Sequence, residues 1–266
     1  MPDLEAGPKR LNVVLQHRMT AAIRRPMPPL TLVGTIHHDP KGLPRLMGIL
    51  ERESPEIVTL EMSEYGVSFR ERHGPRLRER VFHILQDLRE ESTNQHMEEI
   101  KGSRTSLEIG AIQAILLTLE LPFEFEAVRA YCSRNRIPFR CIDLSNYSRD
   151  KLKRLEEEMI NEENMRKIVA FSPMDTHEKL RKERLLVRRL LSEGADHLLI
   201  KAFLDGGNED GMVLRDRYMS YRIREVLRTG GKVLHVGGWE HLLDDPGGKT
   251  LYGFLKDLEP KRIPSL

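Results

Sequence analysis

A strand–helix–strand pattern over residues 30–62 places the strongest constraint on the fold of this 266-residue chain. An apolar run at 30–34 is followed by four apolar residues with the spacing of one face of an amphipathic helix, namely Leu43, Leu46, Met47 and Leu50. Proline at position 55 ends the helix, because the residue before proline disfavours helical backbone. A second strand is predicted over 56–62. Strands joined in this way are parallel, with a right-handed crossover, so the pattern predicts an α/β fold.

Later segments extend this prediction. Further strands are expected over 137–143 and 232–236, and helices over 106–120, 123–136, 174–192 and 212–228, while 92–105 and 205–211 have the composition of loops. We expect a central mixed, mostly parallel sheet that is flanked by helices and closed by its last strand. A helical lobe or cap is predicted over about 148–228. Residues 1–29 are predicted to be an N-terminal arm, in part loosely held, and residues 30–266 a single domain.

Composition excludes several classes of protein. The 43 basic and 41 acidic residues nearly balance, whereas nucleic-acid-binding proteins usually carry a marked basic excess on one face. The two cysteines, Cys132 and Cys141, form no disulfide framework and are expected to be buried free thiols. Because neither a secretory signal nor a run of about 18 apolar residues is present, we expect a cytoplasmic protein with no membrane partner.

Two short motifs share the pattern glycine, two residues, histidine. Gly34-Thr35-Ile36-His37 follows the first apolar strand, and Gly238-Trp239-Glu240-His241 follows the last. Ligands of open α/β sheets bind beyond the carboxyl ends of the strands. The repeated motif therefore predicts that His37 and His241 meet at that edge, although each histidine read alone is also typical of a core imidazole.

Glu61 ends the second strand, after the apolar run 57–60. An ionised carboxylate at the end of a buried strand needs a partner, unless it emerges directly into solvent. Together with His37 and His241 it would give two imidazoles and one carboxylate, a set that leaves positions open for water and substrate. These three residues are the predicted metal ligands, for Mn, Co or Zn. A metal-free site would use the same histidines as acid and base.

Arg215 and Tyr218 share one face of the helix predicted over 212–228. Arg215 could hold a carboxylate through two hydrogen bonds, either that of Glu61 or that of a substrate. Tyr218 could donate a hydrogen bond to a developing oxyanion. The alternative is a solvated helix face with the aromatic ring on the core.

Two other histidines lie beside the motifs. His38 follows His37, and neighbours on an extended chain face opposite ways, so His38 is expected to support His37 or to line the rim of the site. His235 lies inside the last predicted strand, and we expect it to be structural.

The ordered set of motifs resembles the TraB/PrgY/GumN family of the TIKI-like and erythromycin-esterase-like superfamily. The matching segments span roughly residues 30–245: Val33-Gly34-Thr35-Ile36-His37, Ile57-Val58-Thr59-Leu60-Glu61, Glu126-Ala127-Val128-Arg129-Ala130-Tyr131, Ile142-Asp143, Leu214-Arg215-Asp216-Arg217-Tyr218-Met219 and the segment from Gly238 to Leu242. The resemblance implies an α/β fold in which His37, Glu61, Arg215 and His241 meet in one pocket. It also implies metal-dependent cleavage or capture of peptides.

The sequence departs from this family between Gly238 and His241, where smaller residues are expected. Trp239 could narrow the pocket or stack on a substrate, and Glu240 could point away or add a ligand. The resulting expectation is a metal-dependent hydrolase, peptidase-like, in which His37, Glu61, Arg215 and His241 act on a peptide or another small acyl compound. His38, Arg215, Tyr218 and Trp239 would bind that substrate.

Two alternatives stay open. A non-catalytic protein could sequester a peptide in the same pocket, with Arg215 on its terminal carboxylate and Trp239 on its apolar part. A regulatory protein could instead use the charged helices of 148–192 as a partner surface, for example in a homodimer.

Overall fold

The computed structural model describes residues 29–94, 110–171, 176–191, 195–205 and 209–265. Residues 1–28 of the expected arm, and 95–105 of the expected loop, lie outside this part. Five strands are described: β1 (Leu30–Thr35), β2 (Ile57–Leu60), β3 (Phe139–Cys141), β4 (Val233–Gly238) and β5 (Lys261–Ser265).

The helices surround these strands along the whole chain. Their bounds are α1 (Gly42–Glu53), α2 (Glu64–Asn94), α3 (Gly110–Thr118), α4 (Phe123–Asn135), α5 (Ser145–Arg154), α6 (Glu162–Phe171), α7 (Thr176–Leu190), α8 (His197–Asp205), α9 (Glu209–Arg228) and α10 (Leu251–Leu255). A short π-helical turn, Leu155–Met159, follows α5, and one turn of 3₁₀ helix, Trp239–Leu242, follows β4. Helix α2 extends to residue 94 and α9 begins at residue 209, so the predicted loops at 92–105 and 205–211 are partly helical.

The α/β fold predicted from the sequence is confirmed. Within the described residues the strands form one sheet in the order β3-β2-β4-β1-β5, and every pair of neighbours is parallel. The sheet is thus parallel throughout rather than mixed. The strand expected to close the sheet, β4, lies at its centre between β1 and β2.

Strand β5 was not predicted, because its sequence does not have the pattern of a buried strand. Lys261 and Arg262 are exposed, and Pro264 removes one backbone donor. Such residues are tolerated at the edge of a sheet, which is where β5 lies. Strands β1 and β4, by contrast, are buried along their whole length, as expected for parallel strands covered on both faces.

Each face of the sheet packs on its own helices. Leu32 and Val233 face α9 and α10, where they meet Met219, Ile223 and Leu251. Val58 and Val236 face α1 and α4, where they meet Leu46, Leu50, Phe125 and Val128. Residues of one strand therefore alternate between an α9 face and an α4 face of the sheet. This alternation decides on which side each site residue lies.

The helices of the predicted lobe at 148–228 pack in three places. Leu152 of α5 and Met165 of α6 pack with α2 and α3. Val187 of α7 and Ile200 of α8 pack on the loops that follow β1 and β4, through Ile36 and Trp239 among others. Helix α9 covers the sheet itself. In the described part of the chain, no helix has both the length and the apolar character needed to cross a membrane.

Candidate functional site

The candidate site lies where the central strands end. The register of β1 with β4 aligns Thr35 with Gly238, so the residues after both strands emerge at one edge. Glu61 follows β2 at the same edge, and its backbone N–H donates to the carbonyl of Val236 at 2.8 Å. The parallel arrangement inferred from the sequence therefore brings His37, Glu61 and His241 to one end of the sheet.

Glu61 lies at the centre of a buried ionic network. Its Oε1 atom lies 3.0 Å from Nε2 of His241 and accepts a hydrogen bond of 2.5 Å from Nη2 of Arg215. Its Oε2 atom accepts a 2.7 Å hydrogen bond from the backbone N–H of Gly238. Burial raises the pKa of Glu61, but the charges of His241 and Arg215 outweigh it and hold the pKa well below its usual value. Glu61 is therefore ionised.

Arg215 connects two strand ends. Besides Glu61, its guanidinium donates to both oxygens of Asp143, at 3.0 and 2.8 Å, and lies over the ring of Tyr147 at 4.7 Å. Burial opposes the charge of Arg215, and the carboxylates of Glu61 and Asp143 more than compensate. The sequence left two partners open for Arg215, and in the structure it contacts the carboxylate of Glu61.

Asp216 holds the other nitrogen of His241. Its Oδ1 atom lies 2.5 Å from Nδ1 of His241, and its Oδ2 atom accepts the backbone N–H of Leu251 at 2.8 Å. Burial disfavours the imidazolium, but Glu61 and Asp216 on either side raise the pKa of His241 well above its usual value. Burial also raises the pKa of Asp216, which lacks the second cation that Glu61 has in Arg215. We therefore assign a charged imidazolium to His241.

His37 is held by a different carboxylate. Its Nδ1 atom lies 2.8 Å from Oε1 of Glu124, an oxygen that also accepts the hydroxyl of Thr35 at 2.8 Å. Burial disfavours the charged ring, but this hydrogen bond and the charges of Glu124, Glu61 and Glu240 raise the pKa of His37 to about 9. The side chain of His37 is 45% exposed, whereas that of His241 is 3% exposed. His37 is thus the histidine of the pair that solvent or a substrate reaches.

The two histidines lie on opposite sides of a pair of glycines. A side-chain carbon added at Gly237 would lie 2.8 Å from Oε2 of Glu61, and one added at Gly238 would lie 3.1 Å from Nε2 of His37. Successive residues of a strand face opposite ways. Glu61 and His241 therefore lie toward α9, with Arg215, while His37 lies toward α4, with Glu124.

Three of the four predicted catalytic residues form one connected group: Glu61 contacts both Arg215 and His241. His37 contacts Glu124 instead. Within the described ranges no group of three or more His, Cys, Asp or Glu side chains is arranged to hold a metal ion.

The other predicted substrate-binding residues lie in different surroundings. Trp239 is buried against Phe203 and donates its indole N–H to Glu183 at 3.0 Å, so its ring packs in the interior. Tyr218 accepts a hydrogen bond from Arg222 at 3.3 Å. His38 is exposed and has a φ of 66°. Partial loss of water around its ring and the charge of His37 lower its pKa. Its place on a left-handed turn fits the rim position predicted for it.

Sequence reasoning assigned no role to Glu124, Asp143 or Asp216, the three carboxylates that hold the site residues. Asp143 ends a strand as Glu61 does, and that position was a usable signal. Glu124 and Asp216 lie on helices, where only the tertiary contact distinguishes them from solvated acids.

His235 was expected to be structural; it is fully buried, and its Nδ1 atom lies 3.0 Å from the hydroxyl of Thr59.

Comparison of the chain with family models, with characterised proteins and with solved structures found no match. The resemblance to the TraB/PrgY/GumN family therefore stays a prediction from the motifs. What the site can do follows from its geometry alone.

Proposed function

We propose that this protein is a hydrolase that cleaves a peptide or another small acyl compound at the carboxyl edge of its sheet. The observation that supports this proposal is the chain of contacts from Asp216 through His241 to Glu61. A buried carboxylate that orients one nitrogen of an imidazole, whose other nitrogen meets a reactive group, is the arrangement of general acid–base catalysis. It lies where open α/β sheets bind their ligands.

The site residues would have different roles in the reaction. Asp216 fixes the orientation of His241, while Arg215 and the N–H of Gly238 fix the carboxylate of Glu61. Rigid positioning of this kind avoids reorganisation during the reaction. In a reaction without a metal ion, His37 would exchange protons with the substrate, because it is the exposed member of the set.

A divalent metal ion, Mn, Co or Zn, is part of the proposal. The sequence predicts His37, Glu61 and His241 as its ligands, and the pair Gly237 and Gly238 places His37 on the other side from Glu61 and His241. Each of the two imidazoles carries a carboxylate on Nδ1, the second partner typical of metal-ligating histidines. His241 would have to lose the proton that Nε2 shares with Glu61 before it could bind an ion. Such an ion would supply a water molecule of lowered pKa. Glu61 would keep its hydrogen bonds to Arg215 and to Gly238.

Hydrolysis of a peptide library by purified protein, with and without added Mn²⁺, Co²⁺ or Zn²⁺, tests the proposal. We expect His37→Ala and His241→Ala each to lower kcat/KM by at least about 100-fold, the usual size of a lost general acid–base group. His83→Ala is the matched control, since His83 is exposed on α2. The proposal fails if both site variants retain wild-type turnover, or if peptides bind tightly to the wild-type protein without being cleaved.

A further inference from the structure

Two polar atoms lie next to Gly238, and one of them belongs to a residue outside the predicted catalytic and metal-binding set. A side-chain carbon added at Gly238 would lie 2.9 Å from Oε2 of Glu240 and 3.1 Å from Nε2 of His37. Both atoms therefore flank the same point, which glycine leaves free of a side chain. One is a carboxylate oxygen and the other an imidazole nitrogen, and a divalent cation binds both kinds of atom.

The carboxylates on this side are incompletely bonded. Oε2 of Glu240 and Oε2 of Glu124 are both buried and have no hydrogen-bond partner within the described part of the chain. A buried carboxylate oxygen without a partner costs free energy, and a bound ion can supply that partner.

The surroundings hold both candidate ligands in place. Glu124 fixes Nδ1 of His37, so Nε2 is the nitrogen left for a ligand. Glu240 lies in the 3₁₀ turn Trp239–Leu242, next to Trp239, which is anchored by Glu183 and by Phe203. The ring of His37 and the backbone at Glu240 are thus positioned before any ion binds.

We propose that a hydrated divalent cation binds on the α4 face of Gly238, between Nε2 of His37 and Oε2 of Glu240, and that the proton of Nε2 is released to solvent when it binds. Two protein ligands suffice for a small divalent ion that keeps several water molecules, so the site needs no group of three protein ligands. The assignment rests on the proposed function and deepens it, because it names His37 and Glu240 as the metal ligands in place of the predicted set His37, Glu61 and His241. It leaves the Glu61–His241 pair as the acid–base and positioning element on the opposite side.

Binding of Mn²⁺ to the metal-free full-length protein, measured by EPR without any substrate, tests the assignment. We expect Glu240→Gln to weaken Mn²⁺ binding at least tenfold. The control Glu79→Gln, at an exposed position on α2, should change the affinity less than twofold. Gly238→Ala should also abolish binding because its methyl group occupies the space between the ligands, whereas Gly48→Ala, with open space around position 48, should not.

Pulsed EPR detects which atoms are bound to Mn²⁺. This signal would not change if Glu240 had only a structural role. Bound Mn²⁺ should show coupling to one imidazole nitrogen, which His37→Gln removes and His235→Gln retains. The assignment is overturned if wild-type protein binds no Mn²⁺ up to about 1 mM, the weak end of divalent sites. Equal binding by Glu240→Gln and Glu79→Gln, or nitrogen coupling that survives in His37→Gln, would also overturn it. Because no peptide is cleaved in these measurements, absent hydrolysis would count against the proposed function alone.

Discussion

Asp216 and His241 form a buried contact that ties helix α9 to the turn after β4. Oδ1 of Asp216 lies 2.5 Å from Nδ1 of His241, and their side chains are 1% and 3% exposed. The contact determines which nitrogen of His241 meets Glu61. It also places an imidazolium between two carboxylates in the interior, so removal of either partner breaks a buried charge pair.

Replacement of Asp216 by Asn should therefore destabilise the protein by about 3 kcal/mol, since breaking one side of a buried ion pair costs roughly 3–5 kcal/mol. Urea denaturation at neutral pH measures this loss. Asp244→Asn is the matched control, because it removes a carboxylate from a surface pair with Lys256 and should change stability little. A loss no larger than that of the control would mean that Asp216 does not stabilise a charged His241.

Replacement of Gly237 by Ala should destabilise the protein by about 1–3 kcal/mol, the typical cost of overpacking. The new methyl group would meet Oε2 of Glu61 at 2.8 Å and Nε2 of His235 at 3.0 Å. Thermal unfolding of this variant is compared with that of Gly48→Ala, which meets nothing and should raise stability, since alanine is the better helix former. Equal melting temperatures for the two variants would contradict the close contact at Gly237.

The buried His235 predicts a specific dependence of stability on pH. Burial lowers its pKa from 6.5 to about 3 in the folded protein, so below pH 6.5 the unfolded chain binds a proton that the folded chain does not. Stability should therefore fall as the pH drops below 6.5, by about 2 kcal/mol between pH 7 and pH 5 from this group. His235→Gln should remove that part of the slope.

Free energies of unfolding measured at several pH values in both proteins give this difference directly. His83→Gln, at an exposed position, should retain the wild-type slope. An unchanged slope in His235→Gln would show that His235 is protonated in the folded state.

Asp39 should control how firmly helix α7 is held at the sheet edge. This buried carboxylate accepts hydrogen bonds from Arg184 of α7 at 2.6 Å and from Arg45 of α1 at 2.7 Å. We expect Arg184→Ala to speed amide hydrogen exchange in 180–190 at least tenfold, because this helix loses its charged anchor. Arg181→Ala, at an exposed position of the same helix, should leave the exchange rates unchanged. Equal rates in the two variants would assign the docking of α7 to its apolar contacts alone.

Part of the candidate site could be predicted because strand ends are visible in the sequence. His37, Glu61 and His241 each follow an apolar run, and parallel pairing brings such ends to one edge. The partners Glu124 and Asp216 could not be predicted in this way. An acidic residue on a helix is expected to be solvated, and only its tertiary neighbour shows otherwise. Nor could the sequence show that Gly237 and Gly238 separate His37 from His241, because that depends on which face of the sheet each side chain takes.

Local patterns in the sequence determined the strand–helix–strand unit at the start of the sheet and the parallel direction of its strands. They also determined the sites where glycine precedes a histidine. Periodicity and turn chemistry act over a few residues, so these features are visible in the sequence. Tertiary structure alone decided that β4 lies between β1 and β2, that the polar segment of β5 completes the edge and that Asp216 reaches His241. Those outcomes depend on which distant surfaces bury each other, and that free energy arises only when the whole chain is folded.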